Sequence, residues 1–232
     1  MKAFPRALAG EALGTALLLF IVVGSGIAVE RMTDDFVLQL GFHALIVAVG
    51  LTVLIVFLAP VSGAHFNPAV TLGFTLEGST DLRTAVAYMA TQMAAAVIGV
   101  VTANAMFGLP WIELSDQVRS GADQLASEFL GTFVLVFLIL GLVRLGKTGP
   151  IAPTVGAWIF VIIMATPSYG FVNPAVTAAR ALTNTFTGIA PESVTPFILV
   201  QMVAAGVAVA AARTVYPTNR TETHQLEQQE QL

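Results

Sequence analysis

The pentapeptide Asn-Pro-Ala-Val-Thr occurs twice, at Asn67 to Thr71 and at Asn173 to Thr177, each time inside sequence that is otherwise apolar. Asn is a strong helix N-cap and Pro is favoured at the first helical position, so each copy predicts a helix start. The pieces that follow, about 67–76 and 173–182, are too short to cross a bilayer, which takes about 20 apolar residues. They read as half-helices set among longer apolar stretches at about 7–29, 37–59, 84–107, 125–146, 151–166 and 193–216.

Two more landmarks recur in the same order. Glu11-Ala-Leu-Gly14-Thr15 returns as Glu128-Phe-Leu-Gly131-Thr132, and Gln92-Met93 returns as Gln201-Met202. Each repeat, about 7–107 and 125–216, holds three long stretches. An odd number of spans makes the second repeat enter the membrane the opposite way, so the repeats are inverted and their half-helices approach from opposite faces. The predicted fold is an all-α membrane protein: six transmembrane helices and two re-entrant half-helices in one channel domain, 1–216, followed by a polar Gln/Glu-rich segment, 217–232, read as a cytoplasmic tail.

Composition narrows the function. Charged residues make up 10% of the chain, against about 25% in soluble domains, which leaves no room for a soluble catalytic domain. The chain has no Cys and shows no metal-ligand cluster, nucleophile triad or phosphate loop, so no enzyme activity, metal or cofactor is expected. The net charge of −4 comes from loops and tail and gives no reason to expect a nucleic-acid partner. The partner is the lipid bilayer. With both termini cytoplasmic, Lys2, Arg6, Arg83, Arg144, Lys147, Arg213 and Arg220 fall inside and only Arg31, Arg119 and Arg180 outside, as the positive-inside rule favours.

Helix N-termini carry about half a positive elementary charge, so two of them facing each other make the midplane repel cations. The amides of Asn67 and Asn173 can donate to a passing hydroxyl, and the irregular segments Gly63-Ala64-His65-Phe66 and Gly170-Phe171-Val172 offer carbonyl acceptors. Non-helical backbone at membrane depth belongs in a protein interior or beside a watery cavity, which points to a pore for uncharged solutes. Glu11 and Glu128 lie in apolar spans, where a charge costs about 2.5–3.5 kcal/mol. Their symmetric placement predicts that each accepts hydrogen bonds from a half-helix loop; a proton relay is the alternative. Gln92 and Gln201 are read as interhelical hydrogen-bonding residues, His65 as lining the cytoplasmic vestibule, and His43 as a satisfied core residue.

Ser62-Gly63-Ala64-His65-Phe66-Asn67-Pro68-Ala69-Val70-Thr71 closely resembles the first motif of the aquaporins, and the resemblance runs from about Leu8 to Ala212. It implies a homotetramer in the cell (inner or plasma) membrane with one pore per subunit, built around Asn67-Pro68-Ala69 and Asn173-Pro174-Ala175. In most aquaporins an Arg follows the second motif and narrows the outer filter. Here that position is Val176, and Arg180 stands one turn further on. Matching the remaining filter positions gives Val49 in the second helix, Val161 or Ile162 in the fifth, and Tyr169 or Gly170 in the loop. The resemblance thus implies a filter without Arg or His, wide enough for polyols such as glycerol, urea and undissociated hydroxides such as arsenous acid as well as water. The variant Asn173-Pro-Ala-Val-Thr-Ala-Ala-Arg180 is similar to aquaporin-related proteins of bacterial arsenic-resistance systems. Alternatives are a water-selective aquaporin, an ion-coupled secondary transporter and a structural or adhesion protein.

Overall fold

A computed structural model describes residues 3–217. All but the first residue of the expected 217–232 tail lie outside the described residues. The elements in chain order are α1 (Ala3–Met32), α2 (Phe36–Ser62), α3 (Pro68–Glu77), α4 (Leu82–Met106), α5 (Ala122–Arg144), α6 (Ile151–Ala165), α7 (Pro174–Ala179), a 3-10 turn (Arg180–Leu182) and α8 (Pro191–Val215). The described residues contain no strand.

The ends of the helices follow from local chemistry. Asp35 caps α2 by accepting from the amides of Val37 and Leu38 at 2.9 and 3.1 Å, and Asp81 caps α4 through the Thr84 amide at 3.0 Å. α2 and α3 both stop at a glycine in the left-handed conformation, Gly63 and Gly78. α6 stops at Thr166, which Pro167 pushes into extended backbone.

Helices α1, α2, α4, α5 and α8 are long and apolar enough to cross a membrane. α6 matches the expected 151–166 to within a residue but is shorter than the other long helices. Its 15 residues rise only about 22 Å, and the irregular segment leading to α7 turns back so that Gly170 lies beside Ile162 and Ile163.

Packing follows the duplication. α1 packs on α4 and α2, its counterpart α5 packs on α8 and α6, and α2 packs on α6 across the repeats. The short helices are shared: α3 and α7 each pack on both α4 and α8. Polarity is inside out. Val53 and Phe57 of α2 face outward, whereas Glu11, Gln92, Glu128 and Gln201 are fully buried, as a chain surrounded by lipid requires.

Close helix approach rests on small residues. A Cβ on Gly99 of α4 would lie 2.2 Å from the Ala16 carbonyl oxygen of α1, which is backbone and cannot swing away. Gly99→Ala is expected to push α1 from α4 and destabilise the fold by about 3 kcal/mol. The readout is the temperature at which detergent-solubilised protein loses its monodisperse size-exclusion peak, and an unchanged temperature would contradict this packing.

Candidate functional site

The two Asn-Pro-Ala copies meet in the interior as mirrored caps. Asn67 accepts from the Ala69 amide at 2.8 Å, and Asn173 accepts from the amides of Ala175 and Val176 at 2.9 and 3.3 Å. The same side chains then reach across the repeat boundary. Asn67 Nδ2 donates to the Val172 carbonyl and Asn173 Nδ2 to the Phe66 carbonyl, each at 2.9 Å. One amide N–H per Asn is thereby fixed, which leaves the second for a ligand. Both asparagines border a cavity of about 530 Å³ that runs from Pro60, Thr148 and Gly149 at one end to Tyr169 and Arg180 at the other.

The segments before each motif hold strained backbone. Ala64, Phe66, Tyr169 and Val172 have φ of 52°, 49°, 57° and 42°, a region that residues with a Cβ rarely adopt and β-branched ones least of all. Two buried carboxylates hold these segments. Glu11 accepts from the Ser62 hydroxyl (2.7 Å), the amides of His65 (3.0 Å) and Phe66 (2.8 Å), and Gln92 Nε2 (2.8 Å). Glu128 accepts from the amides of Phe171 and Val172 at 2.9 and 2.8 Å and from Gln201 Nε2 at 2.6 Å. Each glutamine also donates to the motif threonine, Gln92 to Thr71 at 3.1 Å and Gln201 to Thr177 at 2.9 Å. Carboxylates satisfied in this way are fixed anchors for the loops, which is how strained backbone persists.

Gly170, with φ of 61°, has two reasons to be glycine: a Cβ there would also lie 2.6 Å from Ile162 Cγ2. Gly170, Tyr169, Val176 and His65 all border the cavity. His65 stacks on Phe74 with centroids 4.6 Å apart, and its Nδ1 lies 3.1 Å from the Thr71 hydroxyl.

Three expectations for the channel wall need correction. Val49 is 55% exposed on the outer face of α2. On α2 the wall includes His43, Val47, Leu51 and Ile55, with Val56, Ala59 and Pro60 toward one end, and Val49 stands about 200° away from Val47 around the helix. In α6 the wall is Ile151, Ala152, Val155, Ile159 and Ile163. Ile162 is instead buried against Gly131 of α5, and Val161 points outward. Finally, the wall does include a histidine and an arginine. His43 is buried as expected, with Nδ1 2.8 Å from the Ser25 hydroxyl, but it also borders the cavity. Arg180 joins it because α7 tightens into the 3-10 turn after six residues, which turns the guanidinium inward to the Thr187 carbonyl and the Phe171 ring.

Charges separate to the two ends of the channel. Arg144 and Arg213 both pair with Glu77, near the end marked by Thr148. At the other end Arg119, from the loop between α4 and α5, lies 5.2 Å from the Phe171 centroid. Burial lowers its affinity for the proton, while Tyr169 and Glu128 act to raise it, so the guanidinium stays charged.

Comparison with known proteins places the fold and the family. The Major intrinsic protein family profile matches residues 1–171, which takes in the first Asn-Pro-Ala copy and stops short of the second. The chain is 41% identical over 208 residues to Aquaglyceroporin AqpS of Rhizobium meliloti (strain 1021), covering 90% of this chain and 89% of that protein. It is 31% identical over 192 residues to Aquaporin NIP1-1 of Arabidopsis thaliana, covering 77% and 64%. The fold matches the X-ray structure of the aquaglyceroporin from Plasmodium falciparum with a TM-score of 0.67 at 20% identity, covering 89% of this chain and 96% of that one. With its aquaporin-like helical fold, the chain is a multi-pass membrane protein belonging to the major intrinsic protein family, whose members are channels for small solutes.

Proposed function

We propose that the protein conducts small uncharged solutes passively, including glycerol-like polyols, urea, undissociated metalloid acids such as arsenous acid, and water. The observation that carries this reading is that Asn67 and Asn173 both open into the same interior cavity, with apolar Val47, Ile159, Ile163 and Val176 on its wall. An apolar wall with a few fixed donors and acceptors suits a solute that has hydroxyls and no charge. The relative named an aquaglyceroporin supports solutes larger than water. The protein works as a homotetramer with one pore per subunit, in the cell (inner or plasma) membrane, with both termini cytoplasmic and the Glu77 end facing inward.

A water-selective channel is the second reading, favoured by His43 and Arg180 on the wall. Ion-coupled transport is disfavoured, because the carboxylates of Glu11 and Glu128 are taken up by backbone amides and glutamines, leaving neither to bind a coupling ion.

Stopped-flow light scattering on proteoliposomes separates these readings. Uptake of glycerol, urea and arsenous acid well above that of empty liposomes is the expected result. Water flux alone would establish the second reading, and no flux of any solute would remove both.

A further inference from the structure

Arg119 and Arg180 share the Phe171 ring, their guanidinium carbons 5.2 and 3.5 Å from its centroid. Among the described residues neither forms an ion pair. Arg119 is anchored: its amide donates to Ser193 Oγ at 3.0 Å, Nε to the Gly188 carbonyl at 2.9 Å and Nη2 to Gln117 Oε1 at 3.1 Å. Arg180 is held through Nε alone, by the Thr187 carbonyl. Nη1 of Arg119 and both terminal nitrogens of Arg180 thus find no acceptor among the described residues, although Arg180 is only 4% exposed. None of these nitrogens is sealed from open space. Both arginines line a second cavity of about 290 Å³, which shares His43, Tyr169 and Arg180 with the channel wall.

Two guanidiniums with free N–H groups and no carboxylate partner form an acceptor-hungry wall. A water occupies about 30 Å³, so the cavity has room for a tetrahedral anion and several waters. Guanidinium forks match the paired oxygens of such an anion. Of the carboxylates in the region, Glu128 is taken up by its backbone and Gln201 donors, and Glu30, also on the cavity wall, accepts from the Phe186 amide through Oε2 at 3.1 Å and pairs with neither arginine.

We infer that this second cavity binds a small tetrahedral oxyanion between Arg119 and Arg180, and that the bound anion occludes the channel where the two cavities join. Glu30 keeps the affinity modest, with Kd on the order of 1 mM. The occlusion half of the inference rests on the channel reading above; the binding half does not.

The test measures glycerol uptake into proteoliposomes with inorganic phosphate on both faces, against chloride at matched ionic strength. At about 10 mM phosphate, roughly nine sites in ten are filled and uptake falls about tenfold. Arg119→Gln, compared with itself without phosphate, is expected to lose this response. Wild-type uptake indifferent to phosphate overturns the inference, as does equal inhibition of wild type and Arg119→Gln, which would place the anion elsewhere. If Arg119→Gln does not fold, Arg119→Lys keeps the charge without the fork and should need several-fold more phosphate; an unshifted response overturns the inference. If wild type shows no uptake at all, the channel reading fails, and calorimetric titration of purified protein with phosphate decides the binding half alone. Heat in wild type that Arg119→Gln lacks upholds it, and no heat removes it.

Discussion

Glu128→Leu leaves the protein unable to hold its second re-entrant segment, and it is recovered as aggregate with no solute flux. The carboxylate satisfies the amides of Phe171 and Val172 and Gln201 Nε2, and the leucine satisfies none of them. Each orphaned buried donor costs about 1–3 kcal/mol, so the loss sums to roughly 5 kcal/mol, as large as the whole stability of many domains, about 5–15 kcal/mol. Damage spreads because Val172 is held at a φ of 42° and its carbonyl receives Asn67 Nδ2. Glu128→Gln keeps the shape and one acceptor oxygen, so an intermediate loss of yield and thermal stability is expected. Size-exclusion elution after detergent extraction reads both variants. A Glu128→Leu protein that elutes as wild type and conducts as wild type would show that the carboxylate is not what holds the loop.

The same carboxylate shows what the sequence makes legible. Three landmarks repeated in order, with an odd number of spans between, are enough to pair Glu11 with the first half-helix loop and Glu128 with the second, because an unsatisfied carboxylate in lipid has few other places to go. The Asn-Pro pairs likewise declare their own helix starts. Rotation about the helix axis is harder. α2 and α6 are apolar on every side, since one face meets lipid and the other a weakly polar channel, so no amphipathic stripe marks the inward face. Counting from a distant motif then errs by a residue or two, and one residue is about 100° around a helix. That is how Val49 and Ile162 stood in for Val47 and Ile163. The four-residue series His43, Val47, Leu51, Ile55 was available as a signal, with polar His43 marking its phase. Arg180 escaped for another reason: its inward turn depends on α7 ending after six residues, and Arg119 was visible only as a loop charge.

Val176→Arg is expected to convert the channel toward water. Val176 borders the cavity one turn from Arg180, with Asn173 on the other side, so the new side chain has to enter the channel or displace the strained loop beside it. Inside, it narrows the path and sets a second guanidinium against that of Arg180, and the narrowing acts on a six-heavy-atom polyol far more than on water. An added barrier of about 1.4 kcal/mol for glycerol lowers its flux about tenfold, while water flux falls by no more than about half. Val176→Ala, which removes bulk without adding charge, should move the ratio the other way and raise glycerol relative to water. The pair guards against a trivial outcome: if Arg abolishes both fluxes while Ala changes neither, the Arg variant has failed to fold and says nothing about selectivity. If both variants conduct with the wild-type glycerol-to-water ratio, Val176 does not lie at the narrowest part of the channel, and the constriction belongs instead to the ring of His43, Tyr169 and Arg180.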